Sequence, residues 1–495
     1  MTKFVLFQRT IKFIKDMIGR TNEIQILKSL LVSNKAEFLA IYGRRRVGKT
    51  YLIKNTYINH IAFEFTGTQN ATLKNQLFKF SAKIEAHFSN IKLNNALTSW
   101  FEAFQLLKNA LSQKLQQPTV VFFDELPWIA TPKSNFLEEL AYWWNDWAAY
   151  QPNLVVVLCG SAASWMLKKV VSNKGGLHNR LTKRINLKPF TLAETKLYLE
   201  SMNVYWDNYQ VIQFYMAVGG IPTYLQEAQR GETVTQAIDR LFFTKEGFMR
   251  TEFENLYAAL FGAHHNHVAV IKTLAEKWQG MTRQEIIARS KFNDGGGLSK
   301  ILEELEASSF IMQYPIYKKQ QKSSVYRLTD EYSLFYLKFI DNKPILGKNE
   351  WLKQANTEKY KIWSGYAFEN VCLKHAEAIK MALGISGIFT ETYSYIHKAD
   401  DISDGFQIDL LIDRADRAIN LCELKFYNDD FQLTDVYADH IRQRRDKFRH
   451  LTKTKKQLFN TLITTYPVKH SRGSIGQIDQ IILIDKLFAL ENFDN

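Results

Sequence analysis

Unbroken apolar runs stand out first along the chain. Phe38–Tyr42, Val120–Phe123 and the stretch "NLVVVLCGSAASWM" at 153–166 are continuous rather than alternating. That is the pattern of parallel strands covered on both faces. Helical periodicity follows the first run, at Tyr51, Leu52 and Ile53. From 267 the pattern changes. "VAVIKTLAEKW", "MTRQEIIARS" and "GLSKILEELEASSF" predict three amphipathic helices. Thr282, with Glu285 three residues on, predicts a capping box at the second. "IMQYPIYKKQQKSSVYRLTD" then reads as a hairpin. Pro344 and Gly347, among polar residues at 341–355, place a domain boundary there. Beyond it, 358–384 reads as one helix with Phe368, Val371, Cys372 and His375 on one side. "IFTETYSYIH" predicts a strand, 406–427 a hairpin, 437–453 a helix and "QLFNTLITTYP" another strand. Helix, strand, hairpin, helix, strand is the order of an α/β sandwich.

Composition narrows the class. At 495 residues the chain is too long for one core, and 46% hydrophobic content supplies several. The net charge of +14 favours a polyanionic partner, with nucleic acid the first candidate. A lysine-rich codon bias would give the same excess. Cys159, Cys372 and Cys422 are far apart, lack metal-ligand spacing and read as buried free thiols. That suggests a reducing, cytoplasmic setting. No run of about 18 apolar residues predicts a membrane span. Lys12 and Lys15 interrupt the first residues, which read neither as a signal peptide nor as an anchor, and Met17 is an alternative start.

Candidate chemistry enters at 43–50. Gly43, Arg44, Arg45, Arg46, Val47, Gly48, Lys49 and Thr50 match G-x-x-x-x-G-K-[ST] between a strand and a helix. Glycines turn backbone N–H groups toward phosphates, and the helix N-terminus adds a favourable dipole. The expectation is ATP with Mg²⁺, Lys49 reaching the β/γ-phosphates and the Thr50 hydroxyl serving the cation. Asp124 ends the second apolar run and would hold Mg²⁺ through water. Glu125 would orient or deprotonate the attacking water. Ser161 ends the third run, either as a γ-phosphate sensor or as a helix N-cap. Arg180, with Arg184 in reserve, is placed to reach a γ-phosphate of its own or a neighbouring chain. A solvated arginine is the alternative, and a homo-oligomer is one implication. "YWWNDW" at 142–147 reads as core or lid packing.

These segments resemble the archaeal-type branch of the AAA+/STAND P-loop ATPases. The resemblance rests on "MIGRTNEIQIL", "IYGRRRVGKT", "FFDELPW", "LCGSAASWM", "RINLKPF" and "GGIPTYL". It covers about 17–250 and puts Gly19 and Arg20 in an opening helix and Gly219, Gly220 and Pro222 in a helical lid. Asn179 stands where the family more often has glycine. The three helices and hairpin follow a winged-helix plan. The third helix carries Glu303, Glu304 and Glu306 against Lys300 alone, which favours a structural or protein-contact role over DNA readout. Lys318, Lys319 and Lys322 at the wing tip leave a backbone contact open.

The hairpin "FQIDLLIDRADRAINLCELKFYN" raises a separate question. With its turn at 414–418, residue 413 faces 419, 411 faces 421 and Asp409 faces Glu423. Period-two alternation then puts Asp409, Glu423 and Lys425 on one face. Two carboxylates about 5 Å apart repel by roughly 3 kcal/mol at an effective dielectric near 20. A divalent cation reverses that sign, with Asp409 and Glu423 as its ligands. Lys425 would orient a water or stabilise charge developing on a phosphate. The pattern resembles the PD-(D/E)XK nucleases over about 356–495. The resemblance implies catalytic Asp409, Glu423 and Lys425, with Glu369 as the acid of the preceding helix. Ile408 replaces the usual proline. Arg442, Arg444, Arg445 and Lys447 are candidate phosphate contacts or a solvated face. The predicted fold class is therefore α/β: a P-loop ATPase sheet (17–190) with a helical lid (191–260), a winged helix (261–340) and a C-terminal restriction-endonuclease-like domain (356–495). Cleavage of DNA and binding of a partner without cleavage remain the two expectations for that last domain. A sequence-reading regulator acting through the winged helix is a third.

Overall fold

The three apolar runs form the centre of a parallel sheet. In the computed structural model, residues 17–489 are described except 173–174, 178, 262–263, 291, 294, 318–323, 345–348, 356 and 398–404. Lys318, Lys319, Lys322 and Gly347 therefore lie outside the described residues. The chain forms two compact units, one of Met1–Pro189 with Ala307–Ser309, the other of Phe190–Glu306 and Phe310–Asn495.

In the first unit, strands β1 (Glu37–Tyr42), β2 (Ile61–Thr66), β3 (Thr119–Asp124), β4 (Leu154–Gly160) and β5 (Lys183–Asn186) are ordered β2-β3-β4-β1-β5. All neighbours are parallel. Every residue of β1, β3 and β4 is buried, as the runs require. Helices α1 (Thr21–Leu31), α2 (Lys49–Thr56), α3 (Leu73–His87), α4 (Trp100–Leu111) and α5 (Phe136–Asp146) accompany the sheet. Trp143 and Trp144 of α5 are core residues, and Trp144 stacks on Phe38 with centroids 4.3 Å apart. Gly19 and Arg20 precede α1 rather than lying in it. Both have positive φ, 67° and 59°, which no helix interior accommodates.

The second unit begins with helices α6 (Leu192–Ser201), α7 (Asn208–Val218) and α8 (Phe248–Leu260). Gly219 ends α7 at φ 70°, and a Cβ on Gly220 would meet the Phe190 carbonyl oxygen at 2.0 Å. Next come α9 (His265–Ala275), β6 (Met281–Thr282), α10 (Arg283–Ser290), α11 (Gly296–Ala307), β7 (Ile311–Tyr314), β8 (Val325–Leu328) and α12 (Glu331–Phe339). The strands form a sheet ordered β6-β8-β7. The Thr282 capping box is made: Thr282 N donates to Glu285 Oε2 at 2.8 Å and Glu285 N to Thr282 Oγ1 at 3.3 Å.

The predicted 358–384 helix is two helices, α13 (Glu358–Lys374) and α14 (Ala376–Ala382). The break is His375. Its Nδ1 donates to the Val371 carbonyl at 2.7 Å, while its Nε2 accepts the Leu192 N–H at 3.0 Å. That pairing needs a neutral ring, and burial pushes the imidazole down to about 4. The unfolded value is near 6.5, so the stabilisation is complete above about pH 6.5 and is lost as pH falls toward 4. Between about pH 7 and pH 4.5, denaturant titration should show the parent losing about 2 kcal/mol more than His375→Gln. Equal losses would remove this account of the break.

The C-terminal sheet holds β9 (Thr390–His397), β10 (Phe406–Arg414), β11 (Ala418–Lys425), β13 (Gln457–Thr464) and β15 (Gln480–Leu483), in the order β15-β13-β11-β10-β9. The β9, β10 and β11 pairs are antiparallel, and the β11, β13 and β15 pairs parallel. A small parallel pair, β12 (Phe431–Leu433) and β14 (Val468–His470), lies apart from it. Helix α15 (Asp435–Thr452) connects β12 to β13.

Candidate functional site

The loop from β1 to α2 is built around two glycines. Gly43 has φ 147°, and a Cβ there would stand 2.3 Å from the Leu187 carbonyl oxygen. Gly48, at φ 92°, starts α2. Lys49 reaches back across the loop, its Nζ donating to the Gly43 and Arg44 carbonyls at 3.0 and 2.9 Å. Burial lowers its pKa, although Asp124 and Glu125 pull the other way. Arg44 and Val47 are buried, and Arg45 and Arg46 partly so. Arg20 braces the loop from outside, its Nη2 donating to the Val47 carbonyl at 3.2 Å.

The acids meet this loop at the strand ends. Thr50 Oγ1 donates to Asp124 Oδ2 at 2.9 Å, and Glu125 N donates to Asp124 Oδ1 at 3.0 Å. Glu125 has the left-handed conformation, φ 49° and ψ 51°. Its Oε2 accepts from Ser161 Oγ at 2.8 Å and Ser161 N at 3.3 Å. Ser161 is not a helix cap: Ala162 precedes the short helix Ala163–Met166, and no side chain caps it. β4 lies between β1 and β3, so the serine arrives beside the acid. Thr50 and Asp124 offer hard oxygen donors side by side, which fits Mg²⁺. Arg180 is exposed in a turn, and Arg184 is exposed on β5, where its charge acts on Tyr42 at the end of β1.

The second cluster lies on the β10–β11 hairpin. Asp413 pairs with Ile419, Leu411 with Leu421 and Leu410 with Cys422. The pairing ends there, β10 shifts register against β9 between Ile408 and Leu411, and Leu424 N donates to Asp409 Oδ2 at 3.4 Å. Glu423 is already fully engaged. Its Oε1 accepts from Lys425 Nζ at 2.9 Å and from Tyr437 Oη, and its Oε2 from Arg444 Nη2 at 2.8 Å. The Lys425 ammonium also sits 5.1 Å from the centre of the Tyr437 ring. Glu369 Oε2 accepts from Arg327 Nη2 at 2.9 Å.

The buried carboxyls act on one another electrostatically. Burial raises Asp409 well above the usual carboxylate range, and Glu369 and Glu423 push it further. Burial also raises Glu369 against the pull of Arg327. Burial works to raise Glu423 too, but Lys425, Arg444 and Tyr437 outweigh it and its value falls.

The expected repulsion is therefore relieved differently from the sequence argument. Lys425 and Arg444 pair with Glu423 and Arg327 with Glu369, while burial favours the neutral form of Asp409. Among the described residues, no group of three or more His, Cys, Asp or Glu is arranged to hold a metal ion. With Glu423 and Glu369 so engaged, the cluster in this arrangement does not fit a divalent cation. Arg444 contacts an acid rather than facing outward as a free phosphate contact. Arg442 and Arg445 pair with neighbouring Asp439 and Asp446. Tyr437 was not expected. Its seven-residue spacing from Arg444 on one helix was the available signal. Arg327 carried none, because it comes from another stretch of the chain.

The sheet order, the glycine loop and the Thr50–Asp124 pair define a P-loop nucleotide-binding domain. Residues 17–228 match the family described as an ATPase domain predominantly from Archaea. An uncharacterized protein of Methanocaldococcus jannaschii is 23% identical over 431 residues, covering 86% of this chain and 91% of its own. A Walker-type ATPase of Pyrococcus abyssi is similar in structure, with 17% identity and a TM-score of 0.48 over 66% of this chain and 97% of that one. The ORC2 protein of Aeropyrum pernix, solved as ADPNP–ADP complexes, has 15% identity and a TM-score of 0.42 over 67% and 96%. Among the described residues no helix is long and apolar enough to cross a membrane, and all three cysteines are buried and free.

Proposed function

We propose that this chain hydrolyses ATP with Mg²⁺ and uses the nucleotide state to control a DNA phosphodiesterase in its C-terminal domain. The observation that carries the first part is the Thr50–Asp124 hydrogen bond beside a Glu125 held by Ser161. On this reading Lys49 exchanges the loop carbonyls for the β/γ-phosphates, Thr50 and Asp124 hold the cation, and Glu125 receives the proton of the attacking water. Arg180 serves the γ-phosphate of its own or a neighbouring chain in a homo-oligomer.

The C-terminal reading, a PD-(D/E)XK nuclease-like domain, is supported by its sheet order and by Asp409, Glu423 and Lys425 on one hairpin with Glu369 in the preceding helix. The net charge of +14 suits a DNA partner. The 261–340 segment is a winged helix on this reading, acting as a contact module. One observation favours a second reading, a STAND-like ATPase whose C-terminal domain binds DNA or protein without cutting. The acids that would serve cleavage are occupied by Lys425, Arg444 and Arg327.

ATP turnover tests the first part. Phosphate release by the parent should require Mg²⁺ and should fall by at least about a hundredfold in Lys49→Ala. A parent that releases no phosphate with Mg²⁺ present would end the hydrolysis reading.

A further inference from the structure

Three lysines converge between the end of α12 and the start of α13. Lys338 lies in the last turn of α12, Lys343 follows that helix, and Lys359 stands in the first turn of α13. Phe339 is their common floor: the Lys343 and Lys359 ammoniums lie 5.7 and 5.3 Å from its ring centre. That ring is buried and held edge-on by Trp351 and Trp363, with centroids 5.1 and 5.3 Å away. The Lys338 ammonium lies 5.4 Å from the ring centre of Trp278, which stacks on Tyr366 of α13 at 5.2 Å with the rings 5° from parallel. The Lys343 amine also donates to the Lys338 carbonyl and comes within hydrogen-bond reach of the Lys359 amine. Among the described residues, no carboxylate pairs with any of the three. Asp341, whose charge acts on Lys343, is taken by Lys272 at 3.1 Å, and Glu358 pairs with Lys361 at 3.7 Å. Lys338 and Lys343 are half-buried; burial and the neighbouring ammoniums lower both, Lys343 to about 8.

We propose that Lys338, Lys343 and Lys359 form a binding surface for the phosphodiester backbone of DNA. This rests on the reading that the chain acts on DNA, and it names where the duplex is held. Lysines ordinarily carry their charges out into water. Here aromatic contacts hold three ammoniums together, where they repel one another. Phosphate oxygens accept hydrogen bonds from ammoniums and turn that repulsion into attraction. The amines are spread over two aromatic platforms, Phe339 and Trp278, rather than gathered around one point. That layout suits successive phosphates of a strand better than one small anion. Contacts of this kind position a duplex without reading its sequence.

The test is binding of a fluorescein-labelled DNA duplex of arbitrary sequence to the full chain, read by anisotropy in EDTA so that no cleavage intervenes. Lys338→Gln/Lys343→Gln/Lys359→Gln should weaken binding about tenfold, and the slope of log affinity against log salt should flatten by at least about 1. Lys28→Gln/Lys74→Gln/Lys92→Gln removes the same charge from exposed positions of the first unit and should cost less than about threefold. Circular dichroism checks that each variant is folded. If the first variant does not fold, Lys359→Gln alone, at an exposed position, should still weaken binding about threefold. With a parent that binds, three results overturn the surface alone: unchanged affinity in the folded lysine variant, equal losses in the two triple variants, or release of the duplex by millimolar inorganic phosphate at constant ionic strength. A parent that binds no duplex even at low salt overturns the DNA reading and the surface together.

Discussion

Glu125→Gln should lower ATP turnover by roughly 10²–10⁴-fold while ATP still binds. The reasons are geometric. The Glu125 backbone is tied to Asp124 Oδ1, and its left-handed conformation turns the side chain off the end of β3. Its Oε2 takes both the N–H and the O–H of Ser161. A glutamine in the same place can keep a hydrogen bond to the Ser161 hydroxyl but cannot take a proton from water. Lys49, Thr50 and Asp124 are untouched, so calorimetric titration should give near-parental ATP affinity. Steady-state phosphate release is the complementary measurement. Turnover within about threefold of the parent would move the base to another residue.

On the proposed phosphodiesterase reading, Lys425→Ala should lower DNA cleavage by at least about a hundredfold. Lys425 sits 2.9 Å from Glu423 Oε1 and against the face of Tyr437, so its ammonium is fixed rather than free to wander. A fixed cation beside a scissile phosphate stabilises charge that grows in the transition state. Arg444 and Tyr437 remain on Glu423 in the variant, which keeps the carboxylate partnered and the hairpin folded. Cleavage that survives Lys425→Ala would show that the reacting groups lie elsewhere. Gel assays on linear DNA and an unchanged melting temperature separate lost chemistry from lost fold.

What was legible in the sequence was local. Continuous apolar runs gave β1, β3 and β4 because parallel strands have no solvent face to alternate toward. The glycine loop was legible because its spacing serves one geometry, and Gly43 indeed has no room for a Cβ. The hairpin register followed from counting through the turn, and the observed pairs at 410–413 agree with it. What stayed hidden depended on distant partners. Arg327 meets Glu369 across 42 positions of sequence, and no periodicity links them. His375 breaks its helix because Leu192, far upstream, donates to its ring. The short strands β12, β14 and β15 carry too few residues for a pattern to register. Arg444 and Arg327 reach the acids of the cluster from other elements, so counting along the hairpin could not reveal them.

The central claim is that ATP at the first site governs phosphodiester hydrolysis at the second. The most direct measurement is nicking of closed-circular plasmid with Mg²⁺ or Mn²⁺, with and without ATP, by the parent and by Lys49→Ala. The account predicts metal-dependent nicking by the parent whose rate changes when ATP is added, and no ATP response in Lys49→Ala. No cleavage by the parent in any condition, or an ATP response that survives Lys49→Ala, would contradict it.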